Sequence, residues 1–259
     1  MEKLIRINLR NNIKYFTYLM LLMLSVIPIE FIFKGSILRG RLFQGVLLLV
    51  INFSLLYNIQ IEETFFNDKN LLLRLIPYKS WKILLSNILS FLFIFMPIYI
   101  IGLLIPFIMK WDIFSHSHNM SSPSSVLIFL FFFYITCSLA ASSLGYSVRL
   151  IFTIKDREND ENRALAIVIL IFFVFLYVII FSIFMNSLYK YCPSITIMNS
   201  KNFELGESLY SVPFFIDLLK VNNGQIILPY HIVATNIVFS AMMYFISLWQ
   251  LEKGKALTE

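Results

Sequence analysis

Six apolar runs of helical length, none containing a Lys or Arg, set the terms for this chain: roughly 17–33, 42–61, 83–109, 126–148, 164–185 and 231–250. A helix crosses the hydrocarbon of a bilayer in about 20 residues, and each run is of that order. Lipid offers no partner to a bare backbone amide, so each run predicts a helix rather than an open strand. Composition agrees: 59% of residues are hydrophobic and only 14% charged, with a mean hydropathy of +0.79. A soluble domain of this length needs more charge to cover its surface. The expected fold class is therefore an all-α integral membrane protein, a single transmembrane domain over residues 1–259 with six transmembrane helices. The first run is the weakest, because Pro28 and Glu30 interrupt its outer end. It does not predict a cleaved signal peptide, since no small-x-small site follows it.

Basic residues orient the spans. Segments 1–16, 62–82, 149–163 and 251–259 hold fourteen Lys and Arg, against seven in 34–41, 110–125 and 186–230. The positive-inside rule then predicts both termini in the cytoplasm. Before the first span, Lys3, Arg6, Arg10 and Lys14 form a basic stripe, with Ile5, Leu9 and Ile13 beside it. That pattern predicts an N-terminal amphipathic helix at the membrane interface, its basic side toward anionic headgroups. The net charge of +6 is accounted for in this way, and no basic block stands apart that would suit nucleic acid. Cys137 falls inside a run and Cys192 in a loop, which does not make a disulfide framework.

The segment between the second and third runs constrains function most. Residues 62–82 read EETFFNDKNLLLRLIPYKSWK, and Leu71, Leu72, Leu73, Leu75 and Ile76 are too apolar to lie free in water. They predict a short helix that buries itself against membrane, bundle or partner. Pro77 ends that helix and can open the next, while Tyr78 and Trp81 suit the bilayer surface.

With the basic N-terminal helix, the run LLLRLIPYKSWKILLSNIL, six spans and the ending FISLWQLEKGKAL, the chain resembles the type 2 ABC transporter permease family. The resemblance is architectural, covers nearly the whole chain, and rests on loose motifs. It implies that Leu71, Leu72, Leu73, Arg74, Leu75, Ile76 and Pro77 form a coupling helix that docks into a groove of a separate cytoplasmic ATPase. It also implies a second copy or a sister permease and a bacterial cell membrane. ATP and Mg would be bound by the partner ATPase, and no cofactor by this chain. Small permeases of this kind resemble exporters of amphipathic or antimicrobial peptides, the phenol-soluble modulin exporters included. Segment 186–230 corresponds to the family's external portion, where residues 213–219 are expected to form a short helix.

No GxxxxGK[ST] sequence occurs, so the chain carries no phosphate-binding loop of its own. Glu30 is the acid within a run, and intramembrane ionisable groups suggest function. Lys34, four residues on, offers it an ion pair. Glu30, Asn52, Asn58, Asn236 and Ser240 are the candidates for a translocation path, with interhelical hydrogen bonding the plainer role for the last four. Ser138, Ala141, Ser142 and Gly145 are spaced for close helix packing. His116 and His118 lack a third ligand, and no metal site is expected. Two other functions compete. One is a non-transporting scaffold, receptor or immunity protein. The other is an intramembrane peptidase, whose EExxxR motif is approached by Glu62-Glu63 but met by Asn67 in place of Arg. Phe114 to His118 fits its FxxxH spacing, yet the expected topology separates Glu62 from His118 by about 30 Å of hydrocarbon.

Overall fold

The computed structural model describes residues 2–32, 47, 50, 51, 54, 79–108, 123–153, 160–183, 194–199, 220–222 and 225–256. Five helices dominate: α1 Glu2–Ile32, α2 Ser80–Ile108, α3 Pro123–Thr153, α4 Asp160–Ile183 and α5 His231–Ala256. Within α2, α3 and α5, the stretches Ser80–Ile105, Ser124–Val148 and His231–Glu252 are long and apolar enough to cross a membrane. Of the run 42–61, Leu47, Val50, Ile51 and Ser54 are described. All four are helical and buried, and their spacing puts them on one helical face.

The direction of each helix follows from its contacts. Phe129 of α3 meets Tyr230 edge to face at 5.2 Å, just before α5 begins. Further along, Cys137 meets Asn236, and Ser147 meets Ser247. Residue numbers rise together, so α3 and α5 run parallel and α4 must return between them. At the other end Leu84 of α2 packs with Leu150 of α3 and Leu251 of α5, while Tyr99 reaches Ser138. Numbers now move oppositely, and α2 is antiparallel to both. α1 packs on α2. Met23 sits so close to Gly102 that a Cβ there would meet its Cε at 2.6 Å, with Leu47 Cδ2 at 3.0 Å. α2 ends soon after Gly102, whereas α1 continues back to a buried Leu4 in the same core cluster. Only a parallel pair gives that length of α1 something to pack on. The N-termini of α1 and α2 and the C-termini of α3 and α5 thus share one end of the bundle.

Two features differ from the sequence expectation. First, the N-terminal segment and the first run are one unbroken helix. With no Gly or Pro from Glu2 to Ile27, nothing breaks the chain between them, and the helix also passes through Pro28. At a rise of 1.5 Å per residue it is about 46 Å long. Leu4, Asn8, Leu19 and Met23 are buried on its packed face, Leu9, Phe16 and Met20 pack partly against the core beside them, and Ile13 is exposed. Second, a small sheet joins the helices. β1 Ser194–Asn199, β2 Lys220–Asn222 and β3 Gln225–Pro229 form an antiparallel sheet in the order β1-β3-β2, with an irregularity between Thr196 and Met198. Asn222 pairs with Gln225, and the two residues between them are Asn223 and Gly224, the pair that best suits a two-residue hairpin loop. Residues 213–219, expected as a short helix, lie outside the described residues.

Candidate functional site: a buried polar ladder

Hydroxyl and amide side chains are buried along the seam between α3 and α5 and where α2 and α4 meet it. At one end of the ladder, Ser147 Oγ donates to the Met243 carbonyl at 2.7 Å and lies 2.8 Å from Ser247 Oγ. The Ser143 hydroxyl bonds the Ala140 carbonyl at 2.8 Å. All three serines are inaccessible. On α5 the inward positions Asn236, Ser240, Met243, Ser247 and Gln250 alternate in steps of four and three, which matches a heptad seam. Opposite them α3 presents Cys137, Ala140, Ala141, Leu144 and Ser147. Small residues let two backbones approach closely without a large side chain between them, and that approach brings a Ser147 hydroxyl to a carbonyl of the neighbouring helix.

Midway along, Ser138 joins three elements. Its hydroxyl bonds that of Tyr99 on α2, and its carbonyl accepts from Ser54 Oγ at 3.0 Å. Tyr99 and Tyr134 stack above this point with centroids 5.7 Å apart. Beside it lies a second node. Tyr177 OH donates to Asn236 Oδ1 at 2.5 Å, and Asn236 Nδ2 donates to Cys137 Sγ at 3.2 Å. Both groups of the Asn236 amide are thereby used, which matters because an unmet amide in an apolar interior costs about 1–3 kcal/mol. The Tyr177 ring packs on Phe239 at 4.3 Å. Among the described residues of α4, Tyr177 is the one whose side chain is buried, while Val168, Ile171, Phe172 and Phe175 are at least half exposed. This node joins α4 to α3 and α5, and Ile169, Leu170, Phe173 and Val174 pack partly against the same core. Toward the end that carries the sheet, the described core is apolar: Val126, Phe129, Leu130, Phe133, Leu103 and Ile232.

The expected site residues fare differently. Asn236 and Ser240 meet in this interior, with the Ser240 hydroxyl bonded back to the Asn236 carbonyl at 2.7 Å. Both are buried, and the bonds they make are interhelical or intrahelical. Glu30 falls in the last turns of α1, but its side chain lies outside the described residues. So do Asn52 and Asn58, and so does the whole segment Leu71, Leu72, Leu73, Arg74, Leu75, Ile76 and Pro77. Glu62, Glu63, His116 and His118 are outside them as well. Ser138 and Ser142, expected as packing residues, are buried in α3. Ser147, Ser247, Tyr99 and Tyr177 escaped the sequence reading. For the two serines a signal existed: they extend, at helical spacing, the small-residue stripe of α3 and the polar stripe of α5.

Removing the Tyr177 hydroxyl isolates the α4 contact. Tyr177→Phe is expected to lower stability by about 1 kcal/mol, since one interhelical bond is lost and Asn236 Oδ1 is left unmet. In a cycle with Asn236→Leu, the two changes should couple by a similar amount. Reversible unfolding in mixed micelles would measure it, and strict additivity would mean the bond contributes nothing.

Compared with models of known protein families, with curated proteins and with solved structures, the chain has no match.

Proposed function

We propose that the chain is the membrane-spanning permease subunit of an ATP-driven exporter of the type 2 ABC kind. In this reading it has six spans and both termini in the cytoplasm of a bacterial cell. Two such subunits, identical or paired with a sister chain, enclose a pathway for amphipathic or antimicrobial peptides. A separate ATPase binds the cytoplasmic face and supplies the energy, and Leu71 to Pro77 transmit its movement to α2. Access then switches across the bilayer as helices rock against one another.

The observation that carries the reading is the segment LLLRLIPYKSWK leading directly into α2. In support, α2 begins at the end of the bundle where α1 also begins and where α3 and α5 finish. A push on the start of α2 would reach α1 through Met23 and Gly102, and α3 through Tyr99 and Ser138. Transmission of this kind needs packed elements with two arrangements. A hydroxyl ladder, whose individual bonds are weak and exchangeable, suits repacking better than an interlocked apolar core does.

The test is purification of the full chain from its native membrane in mild detergent. A P-loop ATPase should co-elute, and its hydrolysis rate should change when the permease is present. Elution without any nucleotide-hydrolysing partner would remove the exporter reading and leave the scaffold, receptor or immunity reading in its place.

A further inference from the structure

α2 is built in two parts that meet at Pro97. This residue lies well inside the helix Ser80–Ile108, and a proline has no N–H to give the carbonyl four residues back, here that of Phe93. Its ring also crowds that carbonyl. Prolines are a leading cause of sharp bends in helices. The weakened turn lies at the edge of the stripe Phe93, Met96, Ile100 and Leu104, all of them exposed. Among the described residues, no helix splints it from that side.

The parts on either side of Pro97 are held differently. Just beyond it, Tyr99 is bonded to Ser138 of α3 and stacked on Tyr134, and Gly102 lies against Met23 of α1 and against Leu47. Other polar bonds converge on this level. Ser54 of the run 42–61 reaches the Ser138 carbonyl, and Asn236 of α5 joins Cys137 to Tyr177 of α4. Before Pro97, the hydroxyls of Ser86 and Ser90 turn back on α2 itself, to the carbonyls of Ile83 at 2.7 Å and Ser86 at 2.6 Å. Bonds of this kind tend to bend a helix and do not tie it to a neighbour. The first turns of α2 pack through Leu84 into a small cluster with Tyr146, Leu150, Tyr244 and Leu251, separate from the main core. Phe91, Ile94 and Phe95 enter the main core only as the proline is approached.

We propose that Pro97 is a hinge, about which the arm Ser80–Met96 swings against a part of α2 fixed by Tyr99 and Gly102. Trp81 stands about 24 Å from the pivot along the helix axis, so a change of bend of about 20° displaces it by about 8 Å. The same change moves Phe91 by only about 3 Å, because it sits on the short end of the lever. The swing parts the small Leu84 cluster and leaves the polar level at Ser138 closed. Load applied at the start of α2 is borne at Tyr99 and Gly102, while the movement is taken up by the arm. The hinge is a property of the bundle and requires no ATPase.

Distances between pairs of nitroxide labels test it, in the full chain carrying Cys137→Ser and Cys192→Ser and held in lipid nanodiscs. One pair, on Trp81→Cys and Glu252→Cys, spans α2 and α5 at the N-terminal end of α2. The other, on Leu104→Cys and Ile128→Cys, spans α2 and α3 beyond the pivot. All four positions are exposed. The first pair should give a distribution spread over about 8 Å, and the second a single narrow distance. Pro97→Ala, which restores the missing N–H, should narrow the first pair and leave the second as it was. If the breadth comes from the labels or from fraying of the helix ends, Pro97→Ala will not change it, and the hinge is overturned. Two pairs of equal width, both narrow or both broad, overturn it as well, whether or not Pro97→Ala folds.

Discussion

On the exporter reading proposed above, the Leu72→Asp/Leu75→Asp variant should insert into the membrane as the wild type does and no longer hold the proposed ATPase. In the proposed coupling helix Leu72 and Leu75 would fall three apart on one face, with Leu71 four before Leu75, so that all three could enter one groove together. A short helix in a groove relies on a few buried apolar anchors, each worth about 2 kcal/mol or more on truncation. Two aspartates remove two anchors and add the cost of placing carboxylates in an apolar groove, which that groove cannot offset. The combined loss of at least about 4 kcal/mol weakens association about a thousandfold, enough to abolish co-purification. Insertion should survive, because the apolar runs on either side are untouched. The paired measurements are membrane yield and ATPase recovered with the permease, with transport as the third. Retained ATPase with full stimulation of hydrolysis would sink the coupling role, and with it the strongest sequence argument for an exporter.

What the sequence disclosed, it disclosed through length. The run 83–109 becomes Ser80–Ile108, 126–148 becomes Pro123–Thr153, 164–185 becomes Asp160–Ile183, and 231–250 becomes His231–Ala256. An apolar run of about 20 residues has few alternatives to a helix, so existence and type were legible while ends slipped by several residues. α3 and α5 overran their apolar runs because nothing in Arg149 to Thr153 or Leu251 to Ala256 stops a helix except Gly254, which α5 passes. The packed face of α1 was not legible, because Leu4, Asn8, Leu19 and Met23 do not stand out from the other residues of a helix this long. Contact with α2 decided the face, and that contact is not written in α1. The sheet was missed for a different reason. Ile195 to Met198 and Gln225 to Leu228 are short, and in a chain this apolar they do not stand out, although Asn223-Gly224 did mark a hairpin.

The ladder was legible only in part. Ser138 and Ser142 announced close packing, and Asn236 and Ser240 announced a polar interior. Their partners could not be named, because a hydroxyl on a helix carries no sign of which neighbouring carbonyl it will meet. Tyr177 shows the difficulty best: it sits in a run with many aromatic residues, and only the fold distinguishes it from Phe172 or Phe175, which face outward.

Enlarging Ser147 should destabilise the described bundle strongly. Its side chain is wholly buried between α3 and α5, 2.7 Å from the Met243 carbonyl and 2.8 Å from Ser247 Oγ. Ser147→Ala keeps the close approach and loses these bonds. Interhelical bonds of this kind average about 0.6 kcal/mol in membranes, so Ala should cost about 1 kcal/mol or less. Ser147→Leu should instead force the two backbones apart, because the larger side chain would start from a wholly buried position already in contact with the Met243 carbonyl and Ser247. Overpacking of a tight core costs about 1–3 kcal/mol and occasionally more. Here the separation would extend along the seam to Cys137 and Asn236, loosening the node that holds Tyr177 and α4. Ser147→Leu should therefore destabilise the bundle by about 3 kcal/mol or more. The same separation should make the Cys137 thiol accessible to a small alkylating reagent that leaves it unmodified in the wild type. Thermal unfolding in detergent, read beside the rate of Cys137 alkylation, measures both consequences. If Leu and Ala prove equally mild and Cys137 stays protected, α3 and α5 are not in the close parallel contact that defines this fold.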